Sequence, residues 1–96
     1  MIIVSGLIEV APEYRQELIA AAIPYVQEAT ADAGNIEFYF GEDIDVSGSF
    51  YLYQEWASHS DRSKHLQSSH AQAFRTSLAA IQILSIVLKV VEGKEL

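Results

Sequence analysis

Imidazole is the side-chain type whose unperturbed form exchanges a proton near neutral pH, and this chain has three, at His59, His65 and His70. A neutral imidazole can serve as a general base, so His65 and His70 are the first candidates for chemistry. Their five-residue spacing is poor for one helix face, but a break at Ser68-Ser69 lets the two rings converge. Trp56 adds a broad apolar wall and one N–H donor, against which a flat aromatic molecule stacks well. Each has a plain structural alternative: a helix-surface or capping role for the histidines, and core packing for the tryptophan.

Other chemistries find little support. No spacing characteristic of a metal site links the three histidines, and the chain has no cysteine. That removes disulfides, thiolate nucleophiles and thiolate-bound clusters. Serine and histidine are both present, but no acidic residue completes a recognisable triad and no nucleophile elbow occurs. Glycine-rich phosphate or dinucleotide fingerprints are missing, so flavin and nicotinamide are not expected. The expectation is therefore an activity with no cofactor.

These side chains need elements to position them. Ile2 to Val10 reads as a β-branched strand, and Pro12 suits the first turn of a helix running to about Ala31. Leu18, Ala22, Tyr25 and Ala29 form its apolar stripe, which aims Tyr25 at a candidate pocket. Pro24 should bend that helix or break it in two. Gly34 ends the element. Ile36 to Glu42 reads as a second strand with Ile36, Phe38 and Phe40 on one face; Phe50 to Trp56 is the third. There, Phe50, Leu52, Gln54 and Trp56 alternate with Tyr51, Tyr53 and Glu55. Glu55 is expected to pair with a tyrosine hydroxyl or across an interface. Ser58 and Asp61 suggest a capping box before a short helix from about Ser60 to Leu66, with His59 ahead of it. A further helix, about His70 to Ala80, buries Phe74 and Leu78, and Ile83 to Val91 closes as a strand.

The order strand, helix, strand, strand, helix, strand is a ferredoxin-like α+β arrangement with an antiparallel sheet. Its 96 residues suit a single domain, residues 1–96. Such a sheet has helices on one face only, yet here both faces are apolar. Tyr51 and Tyr53 oppose Phe50 and Leu52, and Val87 and Val91 oppose Ile86, Leu88 and Val90. The chain has no spare element for the second face, so a homodimer, sheet against sheet, is expected. Thirteen acidic residues against six basic ones give a net charge of −7, with the cations scattered singly. Nucleic acid and anionic membranes are poor partners for that surface. The N-terminal residues lack the pattern of a signal peptide, and Leu78 to Val91 is too short and broken to span a bilayer. With the lack of cysteine, this leads to the expectation of a cytoplasmic protein.

The run Phe50-Tyr51-Leu52-Tyr53-Gln54-Glu55-Trp56, then Ser58, then His65-Leu66-Gln67-Ser68-Ser69-His70 with Phe74 one turn on, resembles the antibiotic biosynthesis monooxygenase (ABM) family. The opening strand, the acidic-Pro helix start and Gly34 before Ile36-Glu37-Phe38-Tyr39-Phe40 resemble it too. The resemblance implies a dimeric α/β barrel. It also implies a cofactor-independent monooxygenase that oxidises a small phenolic, quinol or polyketide-like aromatic with O2. On that reading His65 is the base, His70 an orienting or second proton-transfer group, and Trp56 positions the ring. Tyr25, Phe50, Leu52, Gln54 and Phe74 line the pocket. Haem-degrading relatives pair a first-strand Asn with a late-helix His; Ser5-Gly6-Leu7 and Ala71 to Ala80 do not supply that pair. The alternatives are a non-catalytic dimer that binds a small aromatic or apolar ligand, and a structural dimer with a filled core.

Overall fold

The computed structural model describes residues Met1–Leu96. Strand β1 spans Ile2–Val10, and a 3-10 turn at Pro12–Tyr14 leads into helix α1, Arg15–Thr30. Strands β2, Asn35–Glu42, and β3, Ser49–Trp56, form a hairpin. Helices α2, His59–Leu66, and α3, Ser69–Ala79, precede strand β4, Ile83–Glu92. The four strands stand in the order β2-β3-β1-β4, and each neighbouring pair is antiparallel. This is the ferredoxin-like α+β architecture expected from the element order.

The helices cover β1, β2 and β3 on one face of the sheet, and leave Ile86, Leu88 and Val90 of β4 exposed on that same face. Ile2, Val4, Ile8 and Val10 of β1, Phe38 of β2, and Phe50, Leu52 and Trp56 of β3 meet Leu18, Ala22, Tyr25 and Ala29 of α1 and Ala71 and Phe74 of α3. Strand alternation of period two and the helical stripe thus bury the residues their spacing assigns to the core. Gly6 sits among the inward-facing positions of β1, where a Cβ would lie 2.4 Å from Leu88 Cδ2 and 3.4 Å from Leu52 Cγ. The missing side chain lets those two leucines close over β1.

Three local expectations are corrected. Helix α1 runs unbroken through Pro24, so the break into two helices does not occur, and Pro24 and Ala20 both lie on the exposed face. The carbonyl that the ring deprives of its partner is left to solvent, at little cost. Ile36 does not share the buried face with Phe38. The β2–β3 register shifts between Asn35 and Glu37, which turns Ile36 outward to 50 % exposure. His59 is the first residue of α2 and does not precede it. Ser58 caps that helix by accepting from Asp61 N–H at 3.1 Å, and its hydroxyl donates to the Asp61 carboxylate at 2.9 Å. Only the Ser58 half of the capping box is formed, because the Asp61 carboxylate accepts from the Ser58 hydroxyl and not from its backbone N–H.

The opposite sheet face is bare in the single chain. Tyr39, Tyr51, Val87 and Val91 are exposed. A shallow depression of about 490 Å³ runs between Leu7, Tyr51, Tyr53 and Val87. The Tyr53 hydroxyl donates to the Glu55 carboxylate, one of the two partnerships expected for Glu55. No helix is long and apolar enough to cross a membrane.

Candidate active site

Two turns bring the site together. At the end of α1, Asp32 N–H bonds to Ala29 O and Asn35 N–H to Asp32 O, folding the chain back into β2. Gly34 makes this possible at φ +80, a backbone conformation that disfavours any Cβ. The Asp61 side chain of α2 packs directly against it, so closely that a Cβ would lie 2.2 Å from Asp61 Cγ. Ala57 N–H then bonds to Gly34 O at 2.8 Å and fastens the start of α2 beside the Asp32 turn. The second turn is the break between α2 and α3. Ser68 accepts from Ala71 N–H at 3.2 Å as the cap of α3, and its hydroxyl donates to His65 O at 2.6 Å. The break at Ser68 lets His65 and His70, on successive helices, face one point.

That point is the Asp32 carboxylate. His65 Nδ1 lies 2.8 Å and His70 Nε2 lies 2.7 Å from the same Oδ2 atom. Burial alone would raise the Asp32 pKa, but hydrogen bonds from His65 and His70 and the charge they can carry hold it below its ordinary value of 3.8. Asp32 is therefore an ionised acceptor, and both imidazole nitrogens must present N–H to it. This fixes His65 as the Nδ1–H tautomer, with Nε2 free to accept. The Tyr25 hydroxyl donates to that Nε2 at 2.9 Å. Burial lowers the His65 pKa below 6.5, and Asp32 only partly restores it. The pair is thus an ionised carboxylate beside a neutral imidazole. The Tyr25 hydroxyl is pushed up to about 12, by burial first, with Arg75, Gln54 and Arg62 opposing the rise.

Aromatic rings surround this series, one pair stacked and the others tilted or edge-on. Tyr25 lies on Phe74 with centroids 4.2 Å apart and planes 3° from parallel, and His65 lies 4.6 Å from Trp56. Trp56 is 0 % exposed, and its indole N–H donates to Gln54 Oε1 at 2.9 Å. A cavity of about 240 Å³ opens beside these groups, lined by Tyr25, Gln54 and His65, by Leu52 and Phe74, and by Ile86 and Leu88 of β4.

The structure therefore brings Tyr25, Leu52, Gln54, His65 and Phe74 to one cavity. It places the other three expected residues elsewhere. Trp56 stands behind Gln54 and His65 and would act on an occupant through them. His70 approaches Asp32 from the far side and lines a separate cleft with Pro24 and Glu28. Phe50 lines a different cavity of about 360 Å³ between α1 and the β2–β3 end. The charged group there, Glu42, is already held by Arg15 at 2.6 Å and by Gly48 N–H at 3.1 Å. That cavity has no free titratable group, whereas the smaller one has Tyr25 and His65 in its lining.

Asp32, which spacing did not reveal, supplies the acidic partner that the sequence alone does not place beside the histidines. It lies 33 positions from His65, and only the folding of the α1–β2 turn onto α2 joins them. Arg62 was legible in principle, because it sits three residues before His65 on the same side of α2. The ligand atoms of Asp32, His65 and His70 all lie within 4.8 Å of one another, and these are the residues that could hold a metal ion. Their N···O separations of 2.7 and 2.8 Å are hydrogen-bond lengths. Ligands about 2.1 Å from a tetrahedral ion stand roughly 3.4 Å apart. Binding would require the cluster to open and both N–H protons to leave.

Comparison with known proteins agrees with this fold. The sequence model of the family described as antibiotic biosynthesis monooxygenase matches residues 1–77. The Bacillus subtilis (strain 168) protein named Putative monooxygenase YcnE is 29% identical over 74 residues, 77% of this chain and 78% of that protein. A structure from Deinococcus radiodurans, described as a putative antibiotic biosynthesis monooxygenase, superposes with a TM-score of 0.92 at 18% identity, covering 100% of this chain and 95% of the other. One from Nitrosomonas europaea, with the same description, gives a TM-score of 0.90 at 17% identity over 97% of this chain and 98% of that one.

Proposed function

The chain belongs to the antibiotic biosynthesis monooxygenase family, and from that premise we propose that it is a cofactor-independent monooxygenase of small electron-rich phenols or quinols. The observation that carries this reading is the hydrogen-bonded series Asp32–His65–Tyr25, which ends in an apolar cavity. Triplet oxygen reacts slowly with closed-shell organic molecules but accepts one electron from a phenolate. The protein's task is to make the phenolate, exclude water and hold the ring.

A substrate hydroxyl that reaches Tyr25 passes its proton to the tyrosine oxygen as the tyrosine proton moves to His65 Nε2. Burial keeps the Tyr25 proton on at rest, so the relay is concerted and needs no free tyrosinate. Asp32 stabilises the resulting imidazolium. The phenolate gives one electron to O2, and the radical and superoxide combine at a ring carbon that bears hydrogen: para to the oxygen in a phenol or anthrone, and ortho to it in a hydroquinone, whose para carbon carries the second hydroxyl. The proton returns from His65 through Tyr25 to give a hydroperoxide. Loss of water across the C–H and O–O bonds leaves the quinone, so phenol plus O2 becomes quinone plus water. His70 orients Asp32, and Trp56 holds Gln54 and His65 in place.

We assign the active form as a homodimer of single units spanning residues 1–96, because the bare face with Tyr51, Val87 and Val91 matches what a second copy would cover. The test is oxygen uptake by metal-stripped protein against a panel of hydroquinones and anthrones, with metal content measured in parallel. His65→Ala should reduce uptake by about 10²-fold or more. Uptake that survives this change, or that requires an added metal, would remove the proposed base. The rival reading, a non-catalytic ligand binder, uses the same mainly apolar cavity. It is favoured if hydroquinones bind and no oxygen is consumed.

A further inference from the structure

Arg62 Nε is buried and has no hydrogen-bond partner. The Arg62 side chain lines the 240 Å³ cavity together with Arg75. Arg75 uses one Nη to bond Leu66 O at 2.7 Å and keeps its other donors uncommitted. The chain has three arginines among six cations, against 13 acidic residues. Two of those arginines line this one cavity, and no carboxylate joins them there. The third, Arg15, is taken by Glu42.

In a chain of net charge −7, a cavity whose charged lining is purely cationic runs against the composition. The buried Nε is closed off from the cavity, but the guanidinium groups that line it can offer their outer N–H donors to a planar oxyanion, in the forked geometry a guanidinium prefers. The remaining walls are apolar: Val4, Ile8, Leu52, Phe74, Leu78 and Ile86. Both arginines also act electrostatically on the Tyr25 hydroxyl in the same cavity. Resting on the oxygenase reading, we infer that the substrate is an aromatic acid, a phenol bearing a carboxylate. The arginine pair binds the carboxylate, and the apolar walls and Tyr25 receive the ring and its hydroxyl.

The experiment is calorimetric binding under argon, which separates recognition from oxygen chemistry. The probes are 1-hydroxy-2-naphthoate, its methyl ester and 1-naphthol. The acid should bind the unmodified protein at least tenfold tighter than either neutral probe, with a preference that weakens as salt is added. Arg62→Met should bring acid and ester within about twofold of each other, and Arg75→Met should reduce the preference by a smaller factor. Arg62→Lys keeps the charge but loses the planar fork of donors, and should recover only part of the preference. Equal binding of acid and ester to the unmodified protein overturns the inference. So does failure of the acid to bind at millimolar concentration, or a preference that persists in both methionine variants. Acid-selective binding without oxygen uptake upholds this inference while the oxygenase reading falls; oxygen uptake confined to neutral phenols does the reverse.

Discussion

His65 Nδ1 donates to Asp32 Oδ2 at 2.8 Å, across 33 residues of sequence. This bond sets the tautomer of an imidazole that is otherwise enclosed by Phe38, Trp56 and Tyr25. Asp32→Asn keeps the size and removes the charge. Its amide can offer either an acceptor or a donor, so the Nδ1–H tautomer is no longer enforced and an imidazolium is no longer stabilised. Turnover with the best quinol should fall by about 10²-fold or more, with little change in KM. An unchanged turnover number would take Asp32 out of the proton pathway.

The pH dependence follows from the same groups. His65 titrates below 6.5 because burial disfavours its charged form. Activity should therefore rise with pH through an apparent pKa below 6.5 and then level off. Asp32→Asn removes an influence that raises the His65 pKa, so the acid limb should move to lower pH in that variant. For stability, the unfolded chain binds more protons than the folded one between the folded and unfolded pKa of His65. Stability is thus lost as pH falls below 6.5, and Asp32 adds a second loss as pH falls below 3.8. Thermal melts across roughly pH 3 to 8 should show both limbs, and His65→Phe should flatten the upper one.

Gly34 tests the assembly of the site independently of its chemistry. Gly34→Ala imposes a Cβ on a φ of +80 and drives it into Asp61. The strain should cost about 1–3 kcal/mol, read as a lower Tm. Because Asp61 and the Asp32 turn must separate, activity at a temperature where the variant is folded should fall as well. A variant with native Tm would show that the turn adapts.

Trp56→Phe leaves a ring in the core but removes the N–H that Gln54 Oε1 accepts at 2.9 Å. A buried acceptor without a partner costs about 1–3 kcal/mol, and the Gln54 amide is then free to rotate into the cavity. Stability should drop by that amount and KM should rise more than turnover falls. A variant with unaltered KM would limit Trp56 to packing.

The bare sheet face makes a separate prediction. Val87→Glu sets a carboxylate among Tyr51, Tyr53 and Leu7. Light scattering at micromolar concentration should show a dimer for the unmodified protein and a monomer for the variant. A monomeric unmodified protein would remove the dimer from the proposal.

The sequence by itself determined the element order, the antiparallel sheet and most of the core, because those depend on local periodicity. The stripe Leu18, Ala22, Tyr25 and Ala29 and the alternation Phe50, Leu52, Gln54 and Trp56 are buried where their spacing puts them. Ile36 escaped because a bulge changes the phase of β2 and leaves no mark in composition. Only the tertiary structure decided the site. Asp32, His65 and Tyr25 come from the end of one helix, the end of another and the middle of the first. Their meeting depends on Gly34 folding one turn against Asp61, a packing contact between distant segments. The positions of His70, behind Asp32, and of Trp56, behind Gln54, follow from the same packing. Periodicity gives the face on which a side chain lies; the docking of that face against another decides which neighbour it meets.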